Sequence, residues 1–416
     1  MSFYRLDQQV HLILGAVSHC LFHGGSGAVY HINNDTLRLL QRLAGQGDDG
    51  LAADETGLIE QLGVAGLLRA VDEPCSLDSL ETSPLGDRRV DFAWIEVTQR
   101  CNMRCLHCYE GSCPTSGDDM AEEDLRLAMR RLGDYGIRNV QFIGGEPLLL
   151  GSRLTAWIRE YRDRLDAVEV FTNATLLKEP LVREFKALGV SVALSLHSGD
   201  EAQHDRMTRT RGSFRRTTRA IELLRAHGVK YRTCGVEIAG IDAGRSDAYA
   251  VDKRDLVRLT GRADLTLYDD AMLRRKLITQ DNFRRTQSLT DVRAKSKGHN
   301  CFARSIYIDC HLEVFPCVME RRFSHGNLRS SALADILDPG IRHLTKDRVE
   351  SCAACEYRYF CFDCRPDACG AGRFAKPWYC TYAPETGTWT APDAFIATLK
   401  ATPAKLGAGF PAGAAS

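Results

Sequence analysis

The chain has no surplus of charge: its 416 residues carry 54 Lys and Arg against 54 Asp and Glu. Without a net positive field, binding to polyanions is not the expected function, and neither a nucleic-acid nor a membrane partner is expected. It has no run of 18 consecutive apolar residues, which argues against an ordinary transmembrane helix. Its first residues, MSFYRLDQQVHL, lack the basic-then-apolar order of a secretory signal, so a cytoplasmic location is expected. Internal repeats are also missing. What the sequence has in excess is cysteine, 16 in all. Disulfides do not persist in a reducing compartment, so thiols in this number point first to metal.

The cysteines divide the chain into zones. Cys20, Cys75 and Cys234 stand alone; Cys101, Cys105, Cys108 and Cys113 form a group; nine more lie between Cys301 and Cys380. In residues 1–80 the short apolar runs VHLILGAV, CLFHGG and AVYHI read as strands. NDTLRLLQRLAG, starting at Asn34/Asp35, and ETGLIEQLGVAGLL read as helices. Residues 76–90, with Pro84 and Gly86, read as a linker. From 91 to 261 the strand candidates FAWIEV, NVQFIG, VEVFTN, VSVALSL and VKYRTCGVEI alternate with helices such as EEDLRLAMRRLGDYG and SFRRTTRAIELLRAHG. That alternation implies a parallel sheet with covering helices, open or curled into a barrel. Residues 262–300 are charged and bridge to the cysteine-rich zone at 301–390. Residues 391–416 end in the Gly/Pro/Ala-rich ATPAKLGAGFPAGAAS, expected to be a loose tail.

Cys101, Cys105 and Cys108 follow the first strand of the alternating region. This puts three thiols at a strand's C-terminal end, where α/β enzymes place their chemistry. Structural zinc takes four ligands, whereas an iron-sulfur cube held by three cysteines leaves one iron free. A zinc site completed by Cys113 or His107 is the alternative. Gly144 and Gly145 end an apolar strand, permit close backbone approach, and set Glu146 where a carboxylate can meet an ammonium group.

CNMRCLHCYE resembles the CxxxCxxC signature of radical S-adenosylmethionine enzymes, with His107 at the usually aromatic position. IGGEP (143–147) is similar to that family's GGEP segment, FTNATLL (171–177) to its TNGTLL segment, and SLHSGDEAQHDRMTRTRGSF to the stretch around its ribose-contacting serine. The resemblance implies a partial (β/α)6-type radical SAM barrel. Cys101, Cys105 and Cys108 would hold a 4Fe-4S cluster whose open iron chelates S-adenosyl-L-methionine. Gly144, Gly145 and Glu146 would hold the amino group, with His107, Asn173 and Ser195 among the cofactor contacts. It also implies an external electron donor such as flavodoxin or ferredoxin.

The nine later cysteines are spaced C(x8)C(x6)C and then CxxC(x5)CxxC(x4)C(x10)C. Seven of them resemble the SPASM extension of peptide-modifying radical enzymes. By that resemblance Cys352, Cys355, Cys361 and Cys380 bind one auxiliary cluster and Cys301, Cys317 and Cys364 another, three 4Fe-4S clusters in total. The fourth ligand of the latter is left to Cys310, Cys369, His299 or an open iron. The hairpin glycine of the family is Leu312 here, and the Asp base of sulfatase-maturing relatives is Val318. CEYRYFCFDCR with KPWYCTYAPETGTW looks like the end of the grasp-with-spasm maturases, which implies an ATP-grasp partner. The N-terminal zone resembles a winged-helix-like precursor-recognition module, whose sheet edge would accept a leader peptide as an added strand.

The expected function is therefore a radical SAM/SPASM oxidoreductase. It would remove hydrogen from a ribosomally made precursor peptide and install a carbon-carbon, carbon-oxygen or thioether crosslink. The alternatives are a peptide epimerase or oxidase, with Cys113, Cys234, Cys310 and Cys369 as candidate donor thiols, and a zinc-stabilised peptide-binding scaffold.

Overall fold

The computed structural model describes residues 2–77, 89–115, 117–242, 249, 251–368 and 372–401. Near the N-terminus, β1 (Phe3–Leu6) is followed by an antiparallel sheet of β2 (Val10–Ile13), β3 (Ser18–His23) and β4 (Ala28–Asn33). Helices α1 (Asn34–Gly45) and α2 (Ala53–Val64) come next, and β5 (Leu68–Val71) returns to pair with β1. Asn33 caps α1, one residue before the expected start, by accepting a hydrogen bond from the Thr36 amide. Leu39, Leu40 and Leu43 then face Leu12, Leu21 and Leu62 in one apolar cluster.

The other face of the three-stranded sheet is covered by the cysteine-rich region. Ile13, Cys20 and Phe22 share a core with Phe283, Tyr357, Phe360 and Tyr382. The Ala16 amide donates to the Ala354 carbonyl at 2.8 Å, and the Arg358 guanidinium to the Leu14 carbonyl.

The main sheet has nine strands in the order β11-β10-β9-β8-β7-β6-β12-β13-β14. The parallel strands are β6 (Phe92–Thr98), β7 (Asn139–Gly144), β8 (Ala167–Thr172), β9 (Ser191–Ser195), β10 (Tyr231–Glu237), β11 (Lys253–Leu256) and β12 (Ser305–Ile308). β13 (Glu313–Phe315) and β14 (Gly326–Asn327) close it as antiparallel strands. Between successive strands lie α3 (Glu122–Tyr135), α4 (Ser152–Tyr161), α5 (Glu179–Ala187), α6 (Glu201–Thr208) and α7 (Ser213–Ala226), with α8 (Asp270–Lys276) and α9 (Leu289–Lys297) after β11. Strand alternation explains the layering: Ala93, Ile95 and Val97 of β6 enter the helix-side core, while Trp94 and Glu96 point to the opposite, concave face. On α3, Leu125, Ala128, Met129 and Leu132 complete that core, and Gly136 at φ 97° ends the helix.

Three features differ from the sequence reading. Lys253–Leu256, read as part of a charged region without periodicity, is an edge strand. The first cysteine-rich residues are not a detached unit, because β12 pairs with β6 and extends the main sheet. Pro392–Ala401, inside the expected tail, forms α10, which buries Ile396 and Leu399 against Leu273 and Trp378. The remaining tail residues, most of the expected linker, and Cys369 lie outside the described residues.

Candidate active site: a thiol-lined pocket at the strand ends

The loop after β6 is fixed before its first thiol. The Thr98 hydroxyl donates to Asp119 at 2.7 Å, and Arg100 forms a forked pair with the same carboxylate at 2.6 and 2.9 Å. The Cys101 amide then donates to the Cys113 carbonyl at 3.2 Å. Farther along, the Cys108 carbonyl accepts the Arg262 amide at 3.0 Å, and the Arg262 guanidinium donates to the Ser112 carbonyl at 2.6 Å. A side chain at Gly261 (φ 59°) would meet the Tyr109 carbonyl at 2.2 Å, so that clamp requires glycine. Gly261 and Arg262 carry no motif in the sequence, and only the fold brings them to this loop.

Cys101, Cys105 and Cys108 line one cleft enclosing about 730 Å³ of space open to solvent. Gly144, Gly145, Asn173 and Ser195, from the ends of β7, β8 and β9, line the same cleft. The two glycines sit under the cysteine loop: a Cβ at Gly144 would stand 2.2 Å from the Thr98 carbonyl and one at Gly145 2.2 Å from the Arg100 carbonyl. Burial pushes the Cys101 thiol up to about 12, with neighbouring Glu146 adding to the effect. Cys105 and Cys108 are raised for the same first reason, burial, with Cys108 and Cys101 adding to the rise at Cys105. Thiols held this way keep their protons until a cation replaces them, as metal ligands do. Among the described residues no three His, Cys, Asp or Glu side chains are arranged around a single metal ion.

Glu146 and Asn173 are both engaged by hydrogen bonds within the protein. The Glu146 side chain does not line the cleft. It is fully buried and accepts hydrogen bonds from the Thr172 hydroxyl (2.5 Å), the Asn173 amide (2.7 Å) and the Leu148 amide (3.0 Å), so it pins the ends of β7 and β8. Burial outweighs those donors and lifts its pKa to about 7. The Asn173 amide is likewise engaged: it donates to Asn102 at 2.8 Å and accepts from Thr175 at 2.7 and 3.0 Å. It also stands 3.9 Å from the Cys101 sulfur, which makes it a brace for the cysteine loop.

His107 opens a row of three rings, 4.5 Å from His197, which is 5.6 Å from His204. All three line the cleft. Burial lowers His107 and His204 to about 4, so this wall is neutral near pH 7. His197 and His204 were not singled out in the sequence, because nothing local distinguishes them from other polar residues near a helix.

The later thiols lie near one another in two groups. Burial raises the Cys352, Cys355 and Cys361 thiols, and in this group Cys380 adds to the rise at Cys352 and Cys361, and Cys361 and Cys352 to that at Cys355. Cys317 is coupled in the same way to Cys301, and Cys364 to Cys317. Cys310 is elsewhere: it is buried in the helix-side core, and its amide donates to Glu96 at 3.2 Å. His299 is buried beside the second set, with Nδ1 accepting from the Cys301 amide at 3.1 Å and Nε2 3.6 Å from Asp363. Of the other thiols, Cys113 contacts Thr115, whereas Cys234 sits opposite Ser195 in register and accepts from Arg232 at 3.0 Å. All described cysteines are free of disulfides.

The comparisons bear on the barrel first. Residues 95–243 match the family model of the Radical SAM superfamily. This segment is a radical SAM domain. Over 320 residues the chain is 25% identical to the antilisterial bacteriocin subtilosin biosynthesis protein AlbA of Bacillus subtilis (strain 168), covering 70% of each protein. It is 30% identical over 182 residues to the GTP 3',8-cyclase of Chlorobaculum tepidum, spanning about half of that protein (53%) and 43% of this chain. Among solved structures, Streptococcus suis SuiB bound to precursor peptide SuiA superposes with a TM-score of 0.52 at 17% identity, covering 88% of this chain and 96% of SuiB, and so shares the fold. No helix among the described residues is long and apolar enough to cross a membrane.

Proposed function

We propose that this protein is a cytoplasmic radical SAM peptide maturase with a SPASM-type C-terminal region. It acts on a ribosomally made precursor peptide to install an intramolecular crosslink. The observation that carries the reading is the gathering of ten cysteines into one set at the cleft and two further sets, on a fold whose residues 95–243 match the radical SAM family. The subtilosin biosynthesis relative supports a peptide as substrate.

With a 4Fe-4S cluster and S-adenosyl-L-methionine bound, the cleft gains the ability to remove a hydrogen atom from an unactivated carbon. The chain's own residues provide the setting. Cys101, Cys105 and Cys108 would hold the cluster, and the backbone at Gly144 and Gly145 gives a ligand close approach. The neutral row of His107, His197 and His204 forms a wall that excludes water. Ser195 lines the cleft with its hydroxyl, and Asn173 supports the loop. Cys352, Cys355, Cys361 and Cys380 would hold one auxiliary cluster; Cys301, Cys317 and Cys364 another, with His299 nearer to that set than Cys310. Leader binding is assigned to the β2-β3-β4 sheet, reduction to a flavodoxin or ferredoxin, and pathway partnership to an ATP-grasp enzyme. Val318, in place of a carboxylate base, favours crosslinking over simple oxidation.

The test is anaerobic purification with iron, sulfide and zinc analysis, followed by mass spectrometry of the precursor peptide. About twelve irons per chain are expected for three cubanes, together with a loss of two hydrogens from the peptide. Zinc without iron overturns the reading, and deuterium uptake at unchanged composition moves it to epimerisation, for which Cys234 is the thiol best placed.

A further inference from the structure

This inference rests on the cluster assignment just proposed and concerns what surrounds each sulfur set. Near the cleft thiols carboxyl groups and cations occur together: Glu146 lies near Cys101 and Glu110 near Cys108, with Arg262 near Cys105 and Cys108 and Arg321 paired with Glu110. The other sets lie beside cations, buried Lys346 at one and half-buried Arg258 at the other; the adjoining Asp363 and Asp367 are paired, and the buried Glu356 lies next to Cys355 and accepts from Tyr382. Lys346, 5% exposed, faces Cys361, Cys352 and Cys380. The nearby Asp363 is engaged by the fully buried Arg365 at 2.6 Å. Lys295 adds a second cation, donating to the Phe360 carbonyl next to Cys361 at 3.0 Å.

At the Cys301/Cys317/Cys364 set, Arg258 hydrogen-bonds the Cys364 sulfur. The adjoining Asp367 is tied to Lys276 at 2.7 Å. Asn300 donates to the Cys301 sulfur at 3.1 Å. Reduction adds one negative charge to a cluster. A fixed cation near a cluster, or a hydrogen bond to a ligating sulfur, favours that reduced state, most strongly where the cation is buried as Lys346 is.

We propose that Lys346 and Arg258 are positioning residues for electron acceptance, each raising the reduction potential of the auxiliary cluster beside it. Each auxiliary site then takes up an electron more readily than it would without its cation.

The experiment is EPR-monitored redox titration of the full chain, loaded anaerobically with iron and sulfide, in wild type and in Lys346→Gln, Lys346→Arg, Arg258→Gln and Arg258→Lys. Each Gln variant is expected to make reduction of one cluster at least about tenfold less favourable, about 59 mV lower for one electron. The other two clusters should be unmoved, and each charge-keeping variant should restore most of the shift. Full iron content with unmoved potentials overturns the inference and leaves the proposed function standing. So does an equal shift in the Gln and charge-keeping variants, which assigns the effect to packing. If a Gln variant loses its cluster, the charge-keeping variant at that residue and the pair at the other decide the matter. Failure of the wild-type chain to take up iron removes both the function and the inference.

Discussion

Gly145→Ala tests the geometry of the cleft most directly. The new methyl group would stand 2.2 Å from the Arg100 carbonyl oxygen and 2.7 Å from that of Gln99. Ordinary carbon contacts begin near about 3.5 Å, so the end of β7 must retreat by roughly 1 Å. Two hydrogen bonds tie the segments there, Gly145 amide to Thr98 carbonyl and Glu146 amide to Arg100 carbonyl, both 2.8 Å. Overpacking costs about 1–3 kcal/mol, and weakening two backbone bonds adds about 1 kcal/mol each. The local cost is therefore a few kcal/mol, concentrated where the cysteine loop is held. A displacement of about 1 Å at a reacting centre is enough to lower a rate about 10²-fold. The assay is 5'-deoxyadenosine release under anaerobic reduction, with iron content and S-adenosyl-L-methionine binding measured on the same samples. Reduced turnover of that order with iron retained is expected. A variant that binds and turns over like the wild type would show that the Arg100 carbonyl does not lie against Gly145, and the reconstruction of the cleft would fail with it.

Three further outcomes follow from single residues. Glu146 has a folded pKa of about 7 against an ordinary value of 4.5, so the folded state binds the extra proton. Its contribution is thus present below pH 4.5 and lost as pH rises toward 7, by about 3 kcal/mol at most. Thermal melts of wild type and Glu146→Gln from pH 5 to 8 should show the wild type losing ground to the variant as pH rises; parallel curves refute this. Ala174 (φ 61°) and Leu312 (φ 70°) both hold left-handed backbone. Relief of about 1–2 kcal/mol of strain nearly offsets the lost methyl and added chain entropy in Ala174→Gly, about 1 kcal/mol together. In Leu312→Gly the loss of a fully buried side chain, about 2–5 kcal/mol, wins. Urea midpoints should therefore move little for the first and fall clearly for the second. Finally, Arg358→Ala removes the bond to the Leu14 carbonyl and that to Asp347 at 2.7 Å. Amide exchange at Ala16 should rise at least about tenfold, the equivalent of one such bond, and unchanged protection would show that the N-terminal sheet is held by other contacts.

The parallel core was legible because its strands are apolar and evenly spaced between amphipathic helices, a pattern that burial on both faces imposes. Lys253–Leu256 was not, since an edge strand of sequence KRDL has neither apolar alternation nor a second buried face. That Cys101, Cys105 and Cys108 share one strand-end site could be read from their close spacing after the first strand of the alternating region. The bracing by Glu146 and Asn173 could not, because both lie in segments whose resemblance suggests ligand contact, while their hydrogen bonds to Thr172, Leu148, Asn102 and Thr175 arise only in the folded chain. Gly261, Arg262, His197 and His204 reach the site from distant parts of the chain, and no local pattern marks them.

The hairpin of β12 and β13 links these observations. Leu312 keeps the left-handed turn that glycine would supply, and its buried side chain joins the helix-side core of the barrel. The Asp309 carboxylate accepts the His311 and Glu313 amides at 2.9 and 2.8 Å and completes the turn. Cys317 follows directly on β13, and Arg321, four residues later, donates to the Cys317 carbonyl at 3.2 Å while pairing with Glu110 of the first cysteine loop. The loop that carries Cys317 is thereby tied by one arginine to the loop that carries Cys108, so the spacing of these two thiol-bearing loops is set by the main sheet and this ion pair rather than by a flexible connection.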